Sequence, residues 1–341
     1  MKFSQVKFIA KENAALVEDE YPDALEPNLV LIKSHYSAIS AGTELANYHE
    51  LPNTQTGGIR NPPYPWAPGY SAVGEVVKVG EGVQDLKPGD LAGVTWSGHR
   101  SWYIAPRERV FKLPEGIDER EAAFLNIATF SLLGVRKLRI QLGEPVMIAG
   151  QGLLGMFAGQ FARLSGACPV LVSDYSPERR ALALKLGAEF AFDPREQDFI
   201  QKVKAATDGR GPAAVVEVTG YISALKQALE YIDWMGRITL LGCTRISDET
   251  IDYYKYVHCR GIEIYGCHTF TRPAQESRPG YWTQKDDIQA FFKLLQRKQV
   301  QVLPMISEIV PADTCHETYA RIGGSSNPPL GFVFDWTGID A

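Results

Sequence analysis

The feature that most constrains this chain is a glycine-rich turn between a predicted strand and a predicted helix. The apolar run Val146–Ala149 leads directly into Gly150-Gln151-Gly152-Leu153-Leu154-Gly155, and the predicted helix is Leu153–Leu164. Glycines in this order let the backbone turn tightly, approach a pyrophosphate and pack the helix on the sheet, while the helix N-terminus offers N–H donors. The turn therefore predicts a dinucleotide-binding site.

The end of the next predicted strand indicates which dinucleotide is bound. The predicted strand Val170–Ser173 is followed by Asp174. Counted from Gly150, Asp174 lies close to the spacing of about 20 residues at which a carboxylate binds a ribose diol. Such a carboxylate would repel the 2′-phosphate of NADP, so NAD(H) is favoured. Arg179 and Arg180 lie one turn further on and could hold that phosphate, although paired arginines on a helix are usually solvated.

The remaining pattern divides the chain into three segments and predicts an α/β fold. Residues 1–119 alternate short β-like runs with turns, as in a mostly antiparallel, barrel-like domain, and Pro52–Gly69 is expected to be an ordered loop. Residues 120–270 alternate helices and buried strands, which is typical of a doubly wound parallel sheet; an apolar helix is predicted over Ala122–Leu138. Residues 271–341 indicate a return to the first domain.

Composition excludes several classes of protein. The 341 residues carry 35 Lys and Arg against 40 Asp and Glu, a net charge of −5, so a surface that follows nucleic-acid phosphates is not expected. A membrane span needs about 18 consecutive apolar residues, which no window approaches, and the N-terminus lacks the apolar stretch of a secretory signal. The cytoplasm is the expected location. The 5 cysteines are widely spread, which disfavours a disulfide scaffold or a structural zinc module.

Further motifs in the sequence resemble those of a known family. They are Ala67-Pro68-Gly69, Gly74-Glu75-Val76-Val77-Lys78-Val79-Gly80, Lys87-Pro88-Gly89-Asp90 and Lys112-Leu113-Pro114. With the glycine turn and Asp174, they make the chain resemble the medium-chain dehydrogenase/reductases, in particular the polyol branch of sorbitol and threonine dehydrogenases. Residues Ser40–Glu44 are also similar to the bacteriochlorophyllide-dehydrogenase-like subgroup. The resemblance implies a GroES-like catalytic domain, a Rossmann domain, an active site in the cleft between them, and a homodimer or homotetramer.

The departures from that family concern its metal. Most alcohol-oxidising members have a cysteine where this chain has Ala41, a histidine followed by glutamate where it has Tyr70-Ser71, and in the polyol branch a glutamate where it has Asn126. A Zn²⁺ site needs nitrogen, sulfur or carboxylate ligands. We therefore expect no catalytic zinc. The cysteine lobe that holds the family's structural zinc is absent from the sequence as well.

A metal-free site would use hydroxyl and amide groups for the proton chemistry. Tyr70 is the expected general acid or base, or the donor that binds the substrate oxygen. Thr43 stands at the family's proton-relay position and is expected to relay to a cofactor ribose hydroxyl, and Asn126 is expected to orient the substrate. His49 lies near the expected cleft and is the alternative acid or base.

Packing roles compete with these assignments. Tyr70 is alternatively an aromatic residue packed beside Tyr64 and Trp66, with its hydroxyl bonded to backbone. Glu44 is expected to form a buried ion pair with an arginine rather than to act in catalysis.

The resemblance also implies a set of cofactor contacts in the glycine turn and after the other strands. They are Gly150, Gly152, Leu153, Leu154, Gly155, Asp174, Arg179, Val218, Thr219, Cys267 and His268. His268 follows the last strand of the nucleotide domain, where family members pass the nicotinamide, although a loop or capping role is equally compatible with its position.

The function expected on these grounds is a zinc-independent, NAD(H)-linked oxidoreduction of a small molecule. Nearness to the polyol branch implies interconversion of a secondary alcohol and a ketone on a sugar, cyclitol or similar polyhydroxylated substrate. A quinone- or enoyl-type reductase is the alternative enzyme, but such relatives generally use NADPH and lack an acidic residue at the position of Asp174. The third alternative is a non-catalytic NAD(H)-binding or structural protein.

Overall fold

The computed structural model describes residues 1–54 and 64–339. These residues form two compact units, the first comprising 1–127, 290–298 and 302–341, and the second comprising 128–289 and 299–301. The sequence predicts domain changes at 119 and 270, whereas the chain leaves the first unit at 127 and returns to it at 290. Half of the predicted loop Pro52–Gly69 lies outside the described residues.

The strands are β1 (Lys2–Ala10), β2 (Asn13–Glu20), β3 (Leu29–Ala38), β4 (Ser71–Val79), β5 (Leu91–Thr95), β6 (Trp102–Pro106), β7 (Val110–Lys112), β8 (Val146–Ala149), β9 (Val170–Ser173), β10 (Phe190–Phe192), β11 (Ala214–Glu217), β12 (Arg237–Leu240), β13 (Glu263–Gly266), β14 (Ile306–Pro311) and β15 (Gly331–Asp335). The helices are α1 (Ala41–Tyr48), α2 (Glu119–Ala122), α3 (Leu125–Leu138), α4 (Leu153–Leu164), α5 (Pro177–Lys185), α6 (Phe199–Ala205), α7 (Ile222–Tyr231), α8 (Gln284–Gln296) and α9 (Cys315–Gly323). A π-helical turn covers Tyr254–His258.

The first unit is built on β-structure, as the sequence predicts. Strands β1 and β2 form an antiparallel hairpin, and a mixed sheet has the order β14-β15-β3-β4-β5-β7, with β6 also paired to β3. Along β3, the buried residues Val30, Ile32 and Ser34 alternate with partly exposed ones, so one face of the strand lies on the core. Val30 and Ile32 pack there with Val76 and Val94.

Helix α1 follows β3 and is not predicted from the sequence. Gly42 and Thr43 are poor helix formers, so the local signal for a helix is weak. The carboxylate of Glu44 compensates by reaching back one turn, where its Oε1 accepts a hydrogen bond of 2.9 Å from the Ser40 N–H. This bond satisfies a main-chain donor at the start of the helix.

The predicted helix Ala122–Leu138 is wrong in one respect, because the structure divides it into α2 and α3. The Ser71 hydroxyl donates to the carbonyl of Ala123 at 2.6 Å and accepts from the Asn126 N–H at 3.1 Å. A side chain inserted in this way removes main-chain groups from the helical ladder. The break places Asn126 in the first turn of α3, against β4.

The second unit is a parallel sheet in the order β10-β9-β8-β11-β12-β13. Its central strands β8, β9 and β11 are buried along their whole length, as expected for strands covered on both faces. The predicted strands Val146–Ala149 and Val170–Ser173 and the predicted helix Leu153–Leu164 are confirmed. The α/β fold class is likewise confirmed. Among the described residues, no helix combines the length and the apolar character needed to cross a membrane.

Candidate functional site

The glycine-rich turn of the second unit lies where the strand order of the sheet reverses. From β8 the chain adds β9 and β10 on one side and then β11 on the other, so the turn after β8 faces the turn after β11. A Cβ built on Gly150 would lie 2.9 Å from Cγ2 of Thr219. Open parallel sheets bind their ligands at this reversal, beyond the carboxyl ends of the strands.

The glycines of the turn have different physical reasons to be glycine. Gly150 has a φ of 97°, a left-handed conformation that residues with a Cβ rarely adopt. A Cβ on Gly155 would lie 1.9 Å from the carbonyl oxygen of Gly150, so α4 packs directly on the turn. Apart from Gly152 itself and its two chain neighbours, no described atom lies within 4 Å of a Cβ built on Gly152, which leaves space for a ligand at the start of α4, where Leu153 and Leu154 stand.

Asp174 is held beside this turn by the main chain. Its Oδ2 accepts from the Gln151 N–H at 2.7 Å and its Oδ1 from the Ser176 N–H at 2.8 Å. A carboxylate has about four acceptor positions, so two remain for a ribose diol. Arg179, in the first turn of α5, donates its main-chain N–H to Ser176 Oγ at 3.3 Å.

The turn after β11 is organised by a buried carboxylate that the sequence did not single out. Glu217 accepts from the Thr219 N–H at 2.7 Å, from the Thr219 hydroxyl, and from the Gly220 N–H at 3.2 Å. Burial raises the pKa of Glu217, and the bonds to Thr219 oppose that shift. Val218 donates its N–H to the carbonyl of Ala149 at 2.9 Å, which joins this turn to the end of β8.

Cys267 and His268 follow β13 at the same edge of the sheet. Burial raises the pKa of the Cys267 thiol to about 11, so it stays protonated at neutral pH. The pKa of His268 is lowered, first by loss of hydration and then by the positive charge of Arg245. Its ring lies 4.9 Å from that of Phe270, and its Nδ1 accepts from the Phe270 N–H at 3.4 Å. Cofactor contact by these two residues stays a prediction.

In the first unit, Tyr70 pairs with a residue that the sequence did not identify. The Tyr70 hydroxyl donates to Oγ of Ser40, and both side chains are buried except for a small exposed part. The Tyr70 ring lies 5.8 Å from that of Trp96. Tyr64 and Trp66 instead pack against the aromatic core around Phe8. The Tyr70 hydroxyl thus has a side-chain partner that neither interpretation of this residue foresaw, and the choice between a catalytic and a packing role stays a prediction.

Asn126 and Thr43 each bond to the main chain of one member of this hydroxyl pair, Asn126 to Tyr70 and Thr43 to Ser40. The fully buried Asn126 donates from Nδ2 to the carbonyl of Tyr70 at 2.8 Å, and so holds the Tyr70 main chain. Thr43 is partly exposed in the first turn of α1, and its N–H donates to the Ser40 carbonyl at 3.1 Å. A contact of either residue with substrate stays a prediction.

His49 is not brought to the Ser40–Tyr70 pair. Ser40 caps the start of α1 and His49 its end, and helical rise separates the two by roughly 13 Å. The His49 Nδ1 lies 2.9 Å from Oε1 of Glu12, a half-exposed carboxylate. An acid or base role for His49 gains no support from these contacts.

Glu44 is fully buried, as the sequence predicts, but the expected arginine partner is wrong. Besides the Ser40 N–H, it accepts from the Tyr319 hydroxyl at 2.5 Å and from Nε2 of His99 at 3.2 Å. Burial raises the pKa of Tyr319 well above its ordinary value, and the Glu44 charge adds to the shift, so the phenol stays a donor. A phenol and an imidazole stand where the sequence suggested an arginine.

Two further contacts orient the buried His99 ring. Its Nδ1 lies 2.7 Å from Ser37 Oγ, which accepts from the Trp336 indole N–H at 2.9 Å. In the neutral ring, Nε2–H donates to Glu44 and Nδ1 accepts from the Ser37 hydroxyl. A Cβ on Gly69 would lie 2.7 Å from the ring, so glycine at 69 makes room for His99.

The residues that sequence reasoning missed differ in whether a local sequence pattern could have pointed to them. Ser40 stands inside the motif that carries Ala41 and Thr43, and this neighbourhood was its one local signal. His99 and Tyr319 are 55 and 275 residues from Glu44 along the chain, and no local pattern connects them.

Comparison with known proteins gives concordant matches over both units. The family model described as alcohol dehydrogenase GroES-like domain matches residues 26–114, and that described as zinc-binding dehydrogenase matches residues 154–283. L-threonine 3-dehydrogenase of Pyrococcus horikoshii is 31% identical over 282 residues, which cover 74% of this chain and 79% of that protein.

Two other relatives extend the comparison. D-guloside 3-dehydrogenase of Shigella flexneri is 26% identical over 259 residues, covering 74% of this chain and 72% of that protein. A dehydrogenase structure from Sinorhizobium meliloti 1021, determined bound to NADP, has a TM-score of 0.81 and 20% identity, and covers 98% of this chain and 99% of that chain. At 20% identity, the likeness to the Sinorhizobium meliloti structure shows a shared fold and no more.

The residues at the family's zinc-ligand positions do not fit a zinc ion. Ala41 has only a methyl group, the Tyr70 hydroxyl donates to Ser40, and the Asn126 amide nitrogen is engaged with a carbonyl. Zinc in proteins is held by thiolate, imidazole and carboxylate. Within residues 1–54 and 64–339, no group of three or more His, Cys, Asp or Glu side chains is placed to hold a metal.

The close packing of α4 on the turn predicts a difference between two glycines of that helix. Gly155→Ala must displace the Gly150 carbonyl, so we expect NADH affinity to fall at least about tenfold and the free energy of unfolding to fall by about 1–3 kcal/mol. Gly159→Ala is the matched control, because, apart from its chain neighbours and the nearby backbone of its own helix, no described atom lies within 4 Å of its Cβ. It should raise stability by about 0.5–1 kcal/mol. Urea unfolding and NADH fluorescence titration measure both quantities; equal behaviour of the two variants would contradict the packing argument.

The buried network around Glu44 predicts a large loss of stability on neutralisation. Glu44→Gln keeps the volume but places an amide N–H₂ against other donors, so we expect the free energy of unfolding to fall by about 2–4 kcal/mol. Glu12→Gln removes the carboxylate of the more exposed pair with His49 and should change stability little. Denaturant unfolding of both variants is the measurement, and a wild-type midpoint for Glu44→Gln would show that the network adds no stability.

Proposed function

The chain belongs to the medium-chain dehydrogenase/reductase superfamily, and on that premise we propose that it is a zinc-independent, NAD(H)-linked dehydrogenase of polyhydroxylated substrates. The proposed reaction interconverts a secondary alcohol and a ketone on a sugar, cyclitol or similar molecule. The observation that carries the proposal is the hydrogen bond from the Tyr70 hydroxyl to Ser40: Tyr70 stands at a position where relatives have a metal ligand, and Ser40 directly precedes Ala41, which stands at another. The second unit supplies the nucleotide-binding turn.

The residues of the second unit fit a nicotinamide dinucleotide. The open space at Gly152 and the N-terminus of α4 suit a pyrophosphate, and Asp174 has free acceptor positions for a ribose diol. The proposed contacts include Val218, Thr219, Cys267 and His268 at the same edge of the sheet. When bound, the nicotinamide supplies the hydride acceptor or donor.

Proton transfer is assigned to the hydroxyl pair. In alcohol oxidation the phenolic oxygen of Tyr70 accepts the substrate hydroxyl proton while Tyr70 passes its own proton to Ser40. Ser40 in turn releases its hydroxyl proton to water, with Thr43 as the proposed relay, so one proton leaves for each alcohol oxidised. In ketone reduction the same path runs in reverse, and the Tyr70 hydroxyl donates to the developing alkoxide.

Two supporting contacts keep this pair in place. Asn126 holds the Tyr70 carbonyl, and Glu44 holds the main chain of Ser40. Both supporting residues are fully buried. Preorganised hydroxyl donors stabilise an alkoxide best when their positions are already fixed by the protein.

The proposed substrate class follows the relatives and the chemistry of the pair. The names of two relatives state oxidation at position 3 of threonine and of a guloside, and both positions carry hydroxyl groups. The quinone- or enoyl-reductase alternative differs in acting on an activated C=C bond. The non-catalytic alternative would bind NAD(H) and turn over none of these substrates. A cytoplasmic homodimer or homotetramer stays a prediction.

A substrate panel tests the proposed reaction directly. Polyols and cyclitols with NAD⁺, and ketoses and enones with NADH, should give turnover on the alcohol–ketone pairs and none on the enones. Dialysis against a strong chelator should leave the rate unchanged, and metal analysis of the active protein should find zinc far below one per chain. Loss of activity with chelator and its return with Zn²⁺ would contradict the metal-free assignment.

The role of Tyr70 predicts a selective loss in one variant. Tyr70→Phe removes the phenol and should lower kcat by roughly 10²–10⁴ while NADH affinity stays the same. Tyr64→Phe is the matched control, since its hydroxyl bonds to the Asn47 carbonyl at 3.4 Å and to Glu50, and lies outside the proposed pair. Steady-state kinetics on the best substrate of the panel gives the comparison. Wild-type turnover by Tyr70→Phe would remove Tyr70 from the mechanism.

A further inference from the structure

A second carboxylate stands next to Asp174 at the edge of the parallel sheet. Strand β10 pairs in parallel with β9, with Phe192 opposite Ser173, so Asp193 follows β10 as Asp174 follows β9. The Asp174 N–H donates to the Phe192 carbonyl at 3.2 Å, which joins the two strand ends. Asp193 therefore lies beside the residue proposed to bind the ribose diol.

Asp193 holds two guanidinium groups. Arg195 donates from Nε to Oδ1 at 2.8 Å and from Nη2 to Oδ2 at 2.5 Å, a bidentate pair, and Arg180 donates from Nη1 to Oδ2 at 3.3 Å. The Asp193 side chain is 14% exposed, so water screens these contacts only in part. The Arg195 guanidinium holds the pKa of Asp193 well below its usual range, and Arg180 adds to the effect.

The same two arginines also contact the main chain at Asp174. Arg180 donates to the carbonyls of Asp174 at 2.6 Å and Tyr175 at 3.1 Å, and Arg195 donates to the Tyr175 carbonyl at 3.2 Å. The Arg195 guanidinium lies 5.1 Å from the centroid of the exposed Tyr175 ring. Two cations thus lie against the short segment that carries the proposed ribose-binding carboxylate.

We propose that Asp193 is a specificity-determining residue that keeps Arg180 and Arg195 from binding a 2′-phosphate. Guanidinium groups bind phosphate in the same bidentate manner as carboxylate. With Asp193 present, the four charged groups Asp174, Asp193, Arg180 and Arg195 sum to zero. Without its charge they sum to +1, and Nε and Nη2 of Arg195 lose their carboxylate partner, while Nη2 keeps its bond to the Tyr175 carbonyl. This inference rests on the proposed binding of a dinucleotide at the glycine turn.

The test compares nucleotide binding by the purified full-length chain and needs no substrate. NADH and NADPH are titrated by nucleotide fluorescence at low salt into the wild type and Asp193→Asn. The variant should gain at least about tenfold in NADPH affinity relative to NADH, and the gain should shrink as salt is added, because the new contact is ionic. The double variant Asp193→Asn/Arg195→Gln should lose most of the gain.

Asp233→Asn is the matched control. Asp233 is 15% exposed and forms a 2.9 Å ion pair with Arg210, but it precedes β12 and so lies toward the opposite edge of the sheet. The ratio of its NADPH affinity to its NADH affinity should equal that of the wild type. Circular dichroism checks the fold of each variant. If Asp193→Asn does not fold, Asp193→Ser provides a second neutral variant and Asp193→Glu a charged one, whose ratio should stay near wild type.

The outcomes separate this inference from the function on which it rests. If the wild type prefers NADH and Asp193→Asn has the same ratio of NADPH to NADH affinity, the role of Asp193 is overturned and the proposed function stands. A wild type that binds neither nucleotide would overturn the proposed function itself. A wild type that already prefers NADPH would overturn both the NAD(H) preference and the inference.

Discussion

The carboxylate of Glu44 is the contact on which the candidate site of the first unit depends. It accepts hydrogen bonds from the main chain of Ser40, from His99 and from Tyr319, and so joins the start of α1 to two segments that are distant in sequence. A buried carboxylate is costly unless such donors surround it. The arrangement is therefore stable only when all three segments are in place, and Ser40 then presents its hydroxyl to Tyr70.

The departures from the zinc-dependent pattern are mutually consistent in physical terms. Ala41 leaves a helix start with no ligand atom in its side chain, Tyr70 contributes a hydroxyl, and Asn126 serves the Tyr70 main chain. Asn126 reaches that carbonyl because Ser71 interrupts the helix before α3. A glutamate at 126 would place a charge against a carbonyl in a fully buried position, which burial makes unfavourable. The sequence changes thus describe one altered site rather than separate losses.

The sequence predicted those elements whose defining residues lie within one short stretch of the chain. The turn from β8 into α4 was recognisable because glycine spacing, an apolar strand and a helix occur within one short segment. Helix α1 was missed because Gly42 and Thr43 weaken its intrinsic propensity, and its capping bond comes from Glu44. The partners of Glu44 were mistaken for an arginine because burial and charge are visible in the sequence, whereas the chain segments that meet there are not.

The same limit applies to the charges beside Asp174. In the sequence, Asp174 favours NAD(H), while Arg179 and Arg180 are two bases nearby that could hold a 2′-phosphate. The fold adds Asp193 and Arg195 from the neighbouring strand end, and Arg180 is then shared between Asp193 and the main chain of Asp174. What a phosphate would encounter is the charge that remains after these pairs have formed. The proposed role of Asp193 thus assigns cofactor preference to the edge of the sheet, where parallel strands place their terminal residues side by side, rather than to the single residue that follows β9.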